Sequence, residues 1–499
     1  MSNIRVTYTG FISFFIAIVT AITGSLFTLI LTRTLGQEEF GIWGLIGGIT
    51  QYIMMFSVII SYWSTRDTAR KIDSGKTAVI GTMFLSIFTV IVYLIISYFL
   101  GTETKTDLNI LYFSSILIPV MFFGGILTAI NLGWKPHTIS YGLLAFGITQ
   151  MLFGLFFVYF LNMEVIGVIL ASLLAHSINA VILFKYARFK LRNKLDFSYF
   201  KRWMKLSWLP LYPWIPVVVG GLEISIFAIM TGSVIGLAIW TAAMAVSSII
   251  NQVGLISRAV YPKLLENNTT YYIRDNISLL FFFNFMMAGA IIVFAKPALF
   301  ALNPIYVDAF PVVIILAIMY FFTVLSNMSV QNLTGVENVD LDKNATMKRY
   351  IQSKLFYPHT LRLVQTVIST SSLIVGFYLL INSDSSNMEL LTFWSLVLLF
   401  TQLPISLILL NKMKKAIEIK LDYTKILKYF IISICAFFSI HLITENYLIY
   451  ESNVFTFLPS LLSFFGLGLL FYVSLAYATD QKTRQLITSI MKEIKSKGK

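Results

Sequence analysis

This chain has very few of the residues on which soluble folds and enzyme sites depend. It has one cysteine in 499 residues, Cys435, so an intrachain disulfide is excluded. Only 12% of its residues are charged, and its four histidines are scattered without the spacing of metal ligands. Glycine–lysine phosphate loops and Gly-x-Ser-x-Gly motifs do not occur in the sequence. We therefore expect no catalytic site and no bound cofactor, and the protein is not expected to be an enzyme.

Hydrophobic residues, by contrast, make up 57% of the chain and are concentrated in long runs. Each run is close to the roughly 20 residues that a helix needs to cross a membrane. We predict an all-α integral membrane protein with fourteen transmembrane spans, at 10–32, 39–63, 77–100, 108–130, 138–160, 163–184, 207–231, 234–257, 277–300, 307–330, 358–381, 388–410, 425–444 and 454–478. The longest connection, residues 331–357, leaves no room for a soluble domain.

Positive charge falls almost entirely on one side of this topology. The odd-numbered connections hold only Arg33, Lys105 and Lys296, and Arg362 lies inside span eleven. All other members of the 37 Lys and Arg lie in the N-terminal tail, the even-numbered connections or the C-terminal tail. Basic loops remain in the cytoplasm when a membrane protein inserts. We therefore predict a multi-pass protein of the cell (plasma) membrane with both termini in the cytoplasm.

The same topology explains the net charge of +14. The basic loops would face an anionic inner leaflet, so membrane lipids are the expected partners and nucleic acid is not. The linker at residues 185–206 is the most basic stretch, with eight Lys or Arg side chains interleaved with aromatic residues. Such a segment is expected on the inner membrane surface, with its aromatic rings in the headgroup layer.

The two halves of the chain on either side of this linker partly repeat each other. Residues 31–45 and 230–243 each combine a short outer hairpin with a glycine and an interfacial Trp, Trp43 or Trp240, that opens the next span. We predict an N-lobe (1–184, spans 1–6), a C-lobe (207–410, spans 7–12) and an extension of two spans and a basic tail (411–499). Parallel repeats of this kind are a transporter architecture, with the substrate bound between lobes that rock.

The hairpin motifs also resemble those of a known family. Residues 33–43 read Arg-Thr-Leu-Gly-Gln-Glu-Glu-Phe-Gly-Ile-Trp, residues 236–243 read Gly-Leu-Ala-Ile-Trp-Thr-Ala-Ala, and residues 261–264 read Tyr-Pro-Lys-Leu. These segments resemble the motifs of polysaccharide flippases in the multidrug/oligosaccharidyl-lipid/polysaccharide exporter superfamily. Trp43 departs from the family pattern, which more often has Tyr at this position.

The resemblance implies a V-shaped protein that moves a lipid-linked oligosaccharide from the inner to the outer leaflet. Its cargo would be a polyprenyl-linked oligosaccharide for cell-surface polysaccharide or glycoprotein biosynthesis, and its partners would include glycan-assembly proteins. The glycan would pass through a central cavity between the lobes while the polyprenyl tail stays in the lipid.

Among the few ionisable side chains predicted inside spans, Glu223 is the strongest candidate for a functional role. It follows a segment of span seven that is rich in hinge residues, namely Pro210, Pro213, Pro216, Gly220 and Gly221. Prolines remove backbone donors and kink helices. A carboxylate beside such a hinge could bind H⁺ or Na⁺ and couple its charge to lobe closure. The alternative is a Glu that is hydrogen-bonded near the outer interface.

Three arginines are candidates for binding the phosphates of such a substrate. Arg66 and Arg258 lie at the inner ends of the corresponding spans two and eight. If they face the cleft, their guanidinium groups could bind a pyrophosphate in bidentate fashion. Arg362 lies about one turn into span eleven, where its side chain either snorkels to the inner surface or binds phosphate. Positive-inside anchoring accounts for the first two equally well.

Polar side chains inside spans either line a cavity and bond to sugar hydroxyls or join neighbouring helices. They are Gln51, Asn131, Gln150, His176, Asn179, Asn251, Gln252, Asn284, Asn327, Gln365 and Gln402. The alternatives to a flippase are a cation-coupled multidrug exporter of the same fold, an integral-membrane glycan polymerase or glycosyltransferase, and a membrane scaffold without transport. The short outer loops count against the polymerase.

Overall fold

The computed structural model describes residues 3–104, 107–192, 194–231, 234–258, 264, 271–339, 342, 346–419, 421–451, 453–481, 483–485 and 488. These residues are helical or in short connections, and none of them lies in a strand. The helices of the N-lobe are α1 (Asn3–Thr34), α2 (Gln37–Met54, continued beyond a 3-10 turn by Val58–Ala69), α3 (Gly75–Thr104), α4 (Leu108–Ser114 and Leu117–Trp134), α5 (His137–Gly154, extended by the π-helical Leu155–Phe160) and α6 (Glu164–Ala187).

The C-lobe and the extension continue this series. Their helices are α7 (Ile215–Thr231), α8 (Val234–Ser247, continued by the 3-10 segment Ser248–Gly254 and by Leu255–Arg258), α9 (Tyr271–Val293), α10 (Phe310–Gly335), α11 (Tyr357–Asn382), α12 (Asn387–Ile417), α13 (Tyr423–Tyr447) and α14 (Val454–Thr479). Most basic residues lie in or beside the connections after α2, α4, α6, α8, α10 and α12, and we call the end of the protein that holds the described connections of this set the basic face.

The prediction of an all-α membrane protein is confirmed. Twelve helices of the described chain, all of the above except α1 and α7, are long and apolar enough to cross a membrane. Helix α1 covers the first predicted span, and α7 covers residues 215–231 of the seventh predicted span, 207–231, in agreement with the fourteen-span topology. Helix α10 ends five residues later than the predicted span, at Gly335, and this extension brings its C-terminus to the basic face.

The outward surface of the helices is apolar, as a protein in lipid requires. On α3 the exposed large side chains recur every three or four residues, which places them on one stripe of the helix. They are Phe84, Ile87, Phe88, Ile91, Ile95, Tyr98 and Phe99. In water such a stripe would be buried against another element, so its exposure here identifies the lipid-facing side of α3.

Helix packing is mostly within each half of the chain. In the N-lobe α5 packs on α1 and α6, and α4 packs on α2, α3 and α6. In the C-lobe α10 packs on α12, and α11 packs on α7 and α12, while α13 of the extension packs on α9 and α14. Contacts between the halves include α1 against the end of α8.

The segment that leads into α7 is irregular, and its prolines explain why. Pro210 lies in a single turn, Trp208–Leu211, and Pro213 in the 3-10 segment Tyr212–Trp214, before α7 begins. Each proline lacks an N–H and cannot continue the hydrogen-bond ladder of a regular helix. The ring of Tyr212 stacks on Phe356, with 4.3 Å between centroids, and this contact holds the irregular segment against the C-lobe.

The linker contains a helix, Phe197–Lys205, that is docked on the protein. Asp196 caps its N-terminus by accepting a hydrogen bond from the Ser198 N–H at 2.8 Å, and hydrogen bonds from Ser198 lower the pKa of this carboxyl. Trp203 is fully buried and donates to Asp67 on α2, so the expectation that the linker's aromatic rings lie in the headgroup layer is wrong for this residue. Phe189 and Phe197 are exposed, as that expectation requires.

Close helix packing at Gly133 gives a test of the fold. A Cβ on Gly133 of α4 would lie 2.6 Å from the carbonyl oxygen of Thr65, whereas a Cβ on Gly124 of the same helix has nothing within 4 Å. We expect Gly133→Ala to destabilise the protein by about 1–3 kcal/mol, because the backbone of α2 must move. Thermal unfolding in detergent should show a lower midpoint for this variant. Gly124→Ala is the matched control and should keep the wild-type midpoint; equal effects would contradict the described α2–α4 packing.

Candidate functional site

Glu223 lies inside the C-lobe, where neutral donors from two other helices bind its carboxylate. The residue is 7% exposed. The Ser369 hydroxyl on α11 donates to Oε1 at 3.1 Å, and the Trp394 indole N–H on α12 donates to Oε2 at 3.2 Å. Each carboxylate oxygen therefore has a donor, and the carboxylate joins α7, α11 and α12. Both donors are uncharged, so neither neutralises the charge of the carboxylate.

An aromatic stack fixes the indole that binds Glu223. Trp394 stacks on Trp240, with 3.9 Å between centroids and 7° between planes, and on Phe227 at 5.4 Å. Phe377 meets Trp394 edge-on at 5.9 Å. The stack leaves the indole one orientation, with its N–H directed at the carboxylate, in surroundings that exclude water and strengthen the hydrogen bond.

Trp240 itself was expected at the membrane interface, and that expectation is wrong. It is 4% exposed and belongs to the core of the C-lobe. The stack with Trp394 explains its position, because two flat rings in contact bury more apolar surface than a single ring in the headgroup layer.

A line of polar side chains runs along one face of α11 toward Glu223. Arg362, Gln365 and Ser369 are three and four residues apart and therefore share a face of this helix. Gln365 Nε2 donates to the amide oxygen of Gln402 on α12 at 2.7 Å, and Gln402 Nε2 donates to Ser406 at 2.9 Å. The hydrogen bond between Gln365 and Gln402 thus joins α11 to α12, one helical turn from Ser369.

Arg362, at the other end of this line, turns toward α10. Its Nη2 donates to the Asn327 amide oxygen at 2.6 Å and has a longer contact of 3.5 Å with Ser326. The bond to Asn327 is exposed and joins the start of α11 to α10. The polar face of α11 therefore carries the partner of a carboxylate at one end and a guanidinium at the other.

Of the five predicted hinge residues, Gly221 contacts the other lobe. A Cβ at this position would lie 2.8 Å from the hydroxyl of Tyr52, which is on α2 of the N-lobe and 38% exposed. Gly220 has nothing within 4 Å of an added Cβ. A glycine at position 221 thus allows α7 and α2 to approach closely, two residues from Glu223.

Arg66 lies in a different place, at the contact between the lobes on the basic face. Its side chain is fully buried. Nη1 donates to the Thr334 carbonyl oxygen at 3.0 Å and Nη2 donates to the Glu337 carbonyl oxygen at 2.8 Å, both at the end of α10. The backbone of Arg258 is in the last turn of the α8 extension, and its side chain lies outside the described part of the structure.

The partners of Glu223 were not predicted from the sequence. Ser369 had a signal, because it continues the spacing of Arg362 and Gln365 on one face of α11. No sequence signal indicated Trp394, because a Trp within an apolar span is equally typical of a core position. Thr334 and Glu337 contribute backbone carbonyl oxygens, which every residue has, so no sequence pattern indicates them as partners of Arg66.

The fold is that of a known class of membrane transporters. No protein-family model matches this sequence, and no curated protein matches it. Solved structures do match in fold. An outward-facing multidrug resistance MATE family transporter of the MOP superfamily superposes with a TM-score of 0.62 at 13% identity, over 84% of this chain and 98% of that chain. A MATE transporter in the straight conformation gives a TM-score of 0.60 at 14% identity over the same shares.

A third match shows that proteins of this fold differ in their binding pockets. It is a MOP superfamily transporter from Pyrococcus furiosus, described as having a pocket of reverse polarity that suggests a different function. It has a TM-score of 0.61 at 12% identity, over 84% of this chain and 98% of that chain. At these identities the similarity establishes the fold, and this chain has the all-helical architecture of MATE-like transporters.

The contribution of the hydrogen bond from Trp394 to Glu223 can be tested by comparing substitutions of Trp394 and of Trp240, the residue that stacks on it. Trp394→Phe keeps an aromatic ring but leaves a buried carboxylate oxygen without its donor, a loss of about 1.5–3 kcal/mol for a bond to a charged group. Trp240→Phe makes the same substitution in the ring that stacks on Trp394. We expect the unfolding midpoint in detergent to fall further for Trp394→Phe than for Trp240→Phe. Equal shifts would show that the indole N–H contributes nothing beyond packing.

Proposed function

We propose that this protein translocates a lipid-linked oligosaccharide from the cytoplasmic to the outer leaflet of the plasma membrane by alternating access. The observation that carries the proposal is the MATE-like fold over 84% of the chain, because that fold is built for membrane transport. The hairpin at residues 33–43, which resembles the motif of polysaccharide flippases, supports the choice of cargo. The distribution of Lys and Arg supports a cytoplasmic basic face with both termini on that side.

Glu223 is proposed as the residue that couples transport to a cation. Its carboxylate is buried, has neutral donors, and lies two residues from the point where α7 touches α2. Binding of H⁺ or Na⁺ would change its charge, and with it the strength of the bonds to α11 and α12. Such a change can bias the position of α7 relative to the N-lobe.

Arg66, Arg258 and Arg362 are proposed to bind the phosphates of the cargo. Guanidinium groups are suited to phosphate because they donate two parallel hydrogen bonds. Arg66 contacts the C-lobe in the described state, so this role requires the lobes to separate at the basic face. The cargo, a polyprenyl-linked oligosaccharide, would enter at that face, and glycan-assembly proteins would supply and consume it.

The second candidate function is cation-coupled export of drugs. It is favoured by the same Glu223 site and by the structural match to a transporter described as conferring multidrug resistance. The two functions differ in whether loss of the protein disturbs surface glycan or resistance to toxic compounds.

A deletion strain separates these candidates. We expect it to accumulate lipid-linked oligosaccharide on the cytoplasmic leaflet, measured as the total pool and its sidedness in membrane vesicles, and we expect the gene to reverse this. A normal pool with normal sidedness, together with new sensitivity to toxic compounds, would contradict the flippase proposal and support drug export.

Glu223→Gln tests the coupling role. The amide cannot gain or lose a proton or carry the charge that attracts a cation, yet it fits the space of the carboxylate. We expect the variant to reach the wild-type protein level in the membrane and to restore transport in the deletion strain poorly, at most a tenth of the wild-type rate. The matched control is Glu445→Gln, an exposed Glu on α13, which should transport normally. Wild-type transport by Glu223→Gln would remove this residue as the coupling site.

A further inference from the structure

The end of α10 is bound by two arginines from the other lobe. Arg66 donates to the carbonyl oxygens of Thr334 and Glu337, and Arg70 Nη2 donates to the same Glu337 oxygen at 3.2 Å. Thr334 lies in the last turn of α10, where the carbonyl groups carry the negative end of the helix dipole, and Glu337 follows the helix by two residues. A guanidinium there is both a hydrogen-bond cap and a favourable charge, so these contacts hold α2 and α10 together.

The segment after α10 is folded to present the Glu337 carbonyl. The Glu337 carboxylate accepts hydrogen bonds from the backbone N–H groups of Asn338 at 2.9 Å, Val339 at 3.0 Å and Lys354 at 2.9 Å. These bonds connect the end of α10 to the start of the next segment of the C-lobe. The position of the carbonyl that receives Arg66 and Arg70 is therefore determined by the C-lobe itself.

Asp67, the residue after Arg66, joins the last turn of α2 to the linker helix. Asp67 is 4% exposed and accepts from Arg202 at 2.6 Å and from the Trp203 indole at 3.2 Å. Trp203 belongs to one buried cluster with Trp63 of the N-lobe and Tyr350 of the C-lobe. The N-lobe, the linker and the C-lobe thus meet around residues 66–70, and the basic face is closed there.

We infer that Arg66 and Arg70 form a lock between the lobes, and that a phosphate group of the cargo releases it by competing with the α10 carbonyls for the same guanidinium groups. The part of this inference that concerns cargo rests on the proposed function. A doubly charged phosphate forms stronger, charge-assisted bonds to guanidinium than a neutral carbonyl does. Arg70 is only half-buried and can meet the phosphate first, whereas Arg66 becomes available when the lobes part.

Opening of this kind is a shift between two states of the protein. The lock stabilises the state that is closed at the basic face, and phosphate binds the open state more tightly because both guanidinium groups are available only there. A ligand shifts such an equilibrium by its difference in affinity for the two states. A cargo without a phosphate would leave the lock closed, which would make the arginines a filter for lipid-linked diphosphates.

The lock can be tested by measuring the distance across the basic face. Spin labels are attached at Lys76→Cys on α3 and Lys348→Cys in the C-lobe, two exposed positions outside the lock, in a Cys435→Ser background because Cys435 is exposed. Distance distributions between the two labels are recorded by double electron–electron resonance spectroscopy, with the full chain in lipid nanodiscs. The probes are farnesyl diphosphate and, as its uncharged counterpart, farnesol.

We expect a mainly short distance in the wild type and an increase of at least threefold in the long-distance population when Arg66 and Arg70 are both replaced by Gln. Farnesyl diphosphate should shift the wild type in the same direction, farnesol should not, and the double variant should not respond further. Arg188→Gln, at the same face but with its guanidinium over the Phe189 ring, is the matched control and should behave as the wild type. Arg70→Gln alone should give a smaller shift, and its half-exposed position makes misfolding a poor explanation.

Each part of the inference has its own contrary outcome. An unchanged distribution in both arginine variants would overturn the lock. A shift in these variants without any response of the wild type to farnesyl diphosphate would overturn release by phosphate. If the variants open and the diphosphate acts, but the deletion strain keeps a normal lipid-linked pool, the proposed function fails while the lock and its phosphate response stand.

Discussion

A hydrocarbon core offers no water to a buried polar group, so each such group in a membrane protein must find its partner in the protein. In the described structure several of these groups are paired with partners on other helices. Glu223 of α7 is bound from α11 and α12, Gln365 of α11 from α12, and Arg66 of α2 from the end of α10. Few other hydrogen-bond partners are available to these groups, so the bonds determine how the helices pack against one another. Any rearrangement of the helices must break or replace them, and for this reason we propose that the groups that control transport lie at the same positions.

On our proposal, the two sites have separate roles in alternating access. The Glu223 network lies within the C-lobe and depends on the charge of one carboxylate, whereas the Arg66 contacts join the lobes at the basic face. Gly221 links them, because α7 meets Tyr52 of α2 two residues from Glu223, and Arg66 lies in the last turn of the same α2. On our account the charge of Glu223 is communicated through α7 to α2, and the phosphate of the cargo acts directly at the end of α2. The charge of Glu223 and the phosphate of the cargo would both shift the equilibrium between the same two arrangements of the lobes.

Hydropathy and charge were sufficient to predict the helices and their order, because crossing a membrane leaves little freedom in the length and polarity of a segment. Glu223 was chosen as a candidate for the same reason, because it is a charged residue where few occur. The partners were not found. Trp240 and Trp203 were placed at the interface, yet both are buried, because an aromatic ring at a helix end looks the same in sequence whether it faces headgroups or a second ring. The partners of Arg66 are backbone carbonyls 268 and 271 residues away, and such acceptors depend on the tertiary fold alone.

The central claim is that this protein moves a lipid-linked oligosaccharide across a bilayer, and the most direct test uses the purified protein alone. A fluorescent polyprenyl-diphosphate oligosaccharide is placed in proteoliposomes, and a membrane-impermeant reductant is added to quench the fluorophores on the outer leaflet. Our account predicts that quenching in proteoliposomes proceeds beyond the fraction seen in protein-free liposomes, because cargo from the inner leaflet becomes accessible. Quenching that stops at the same fraction in both, with and without a cation gradient, would contradict it.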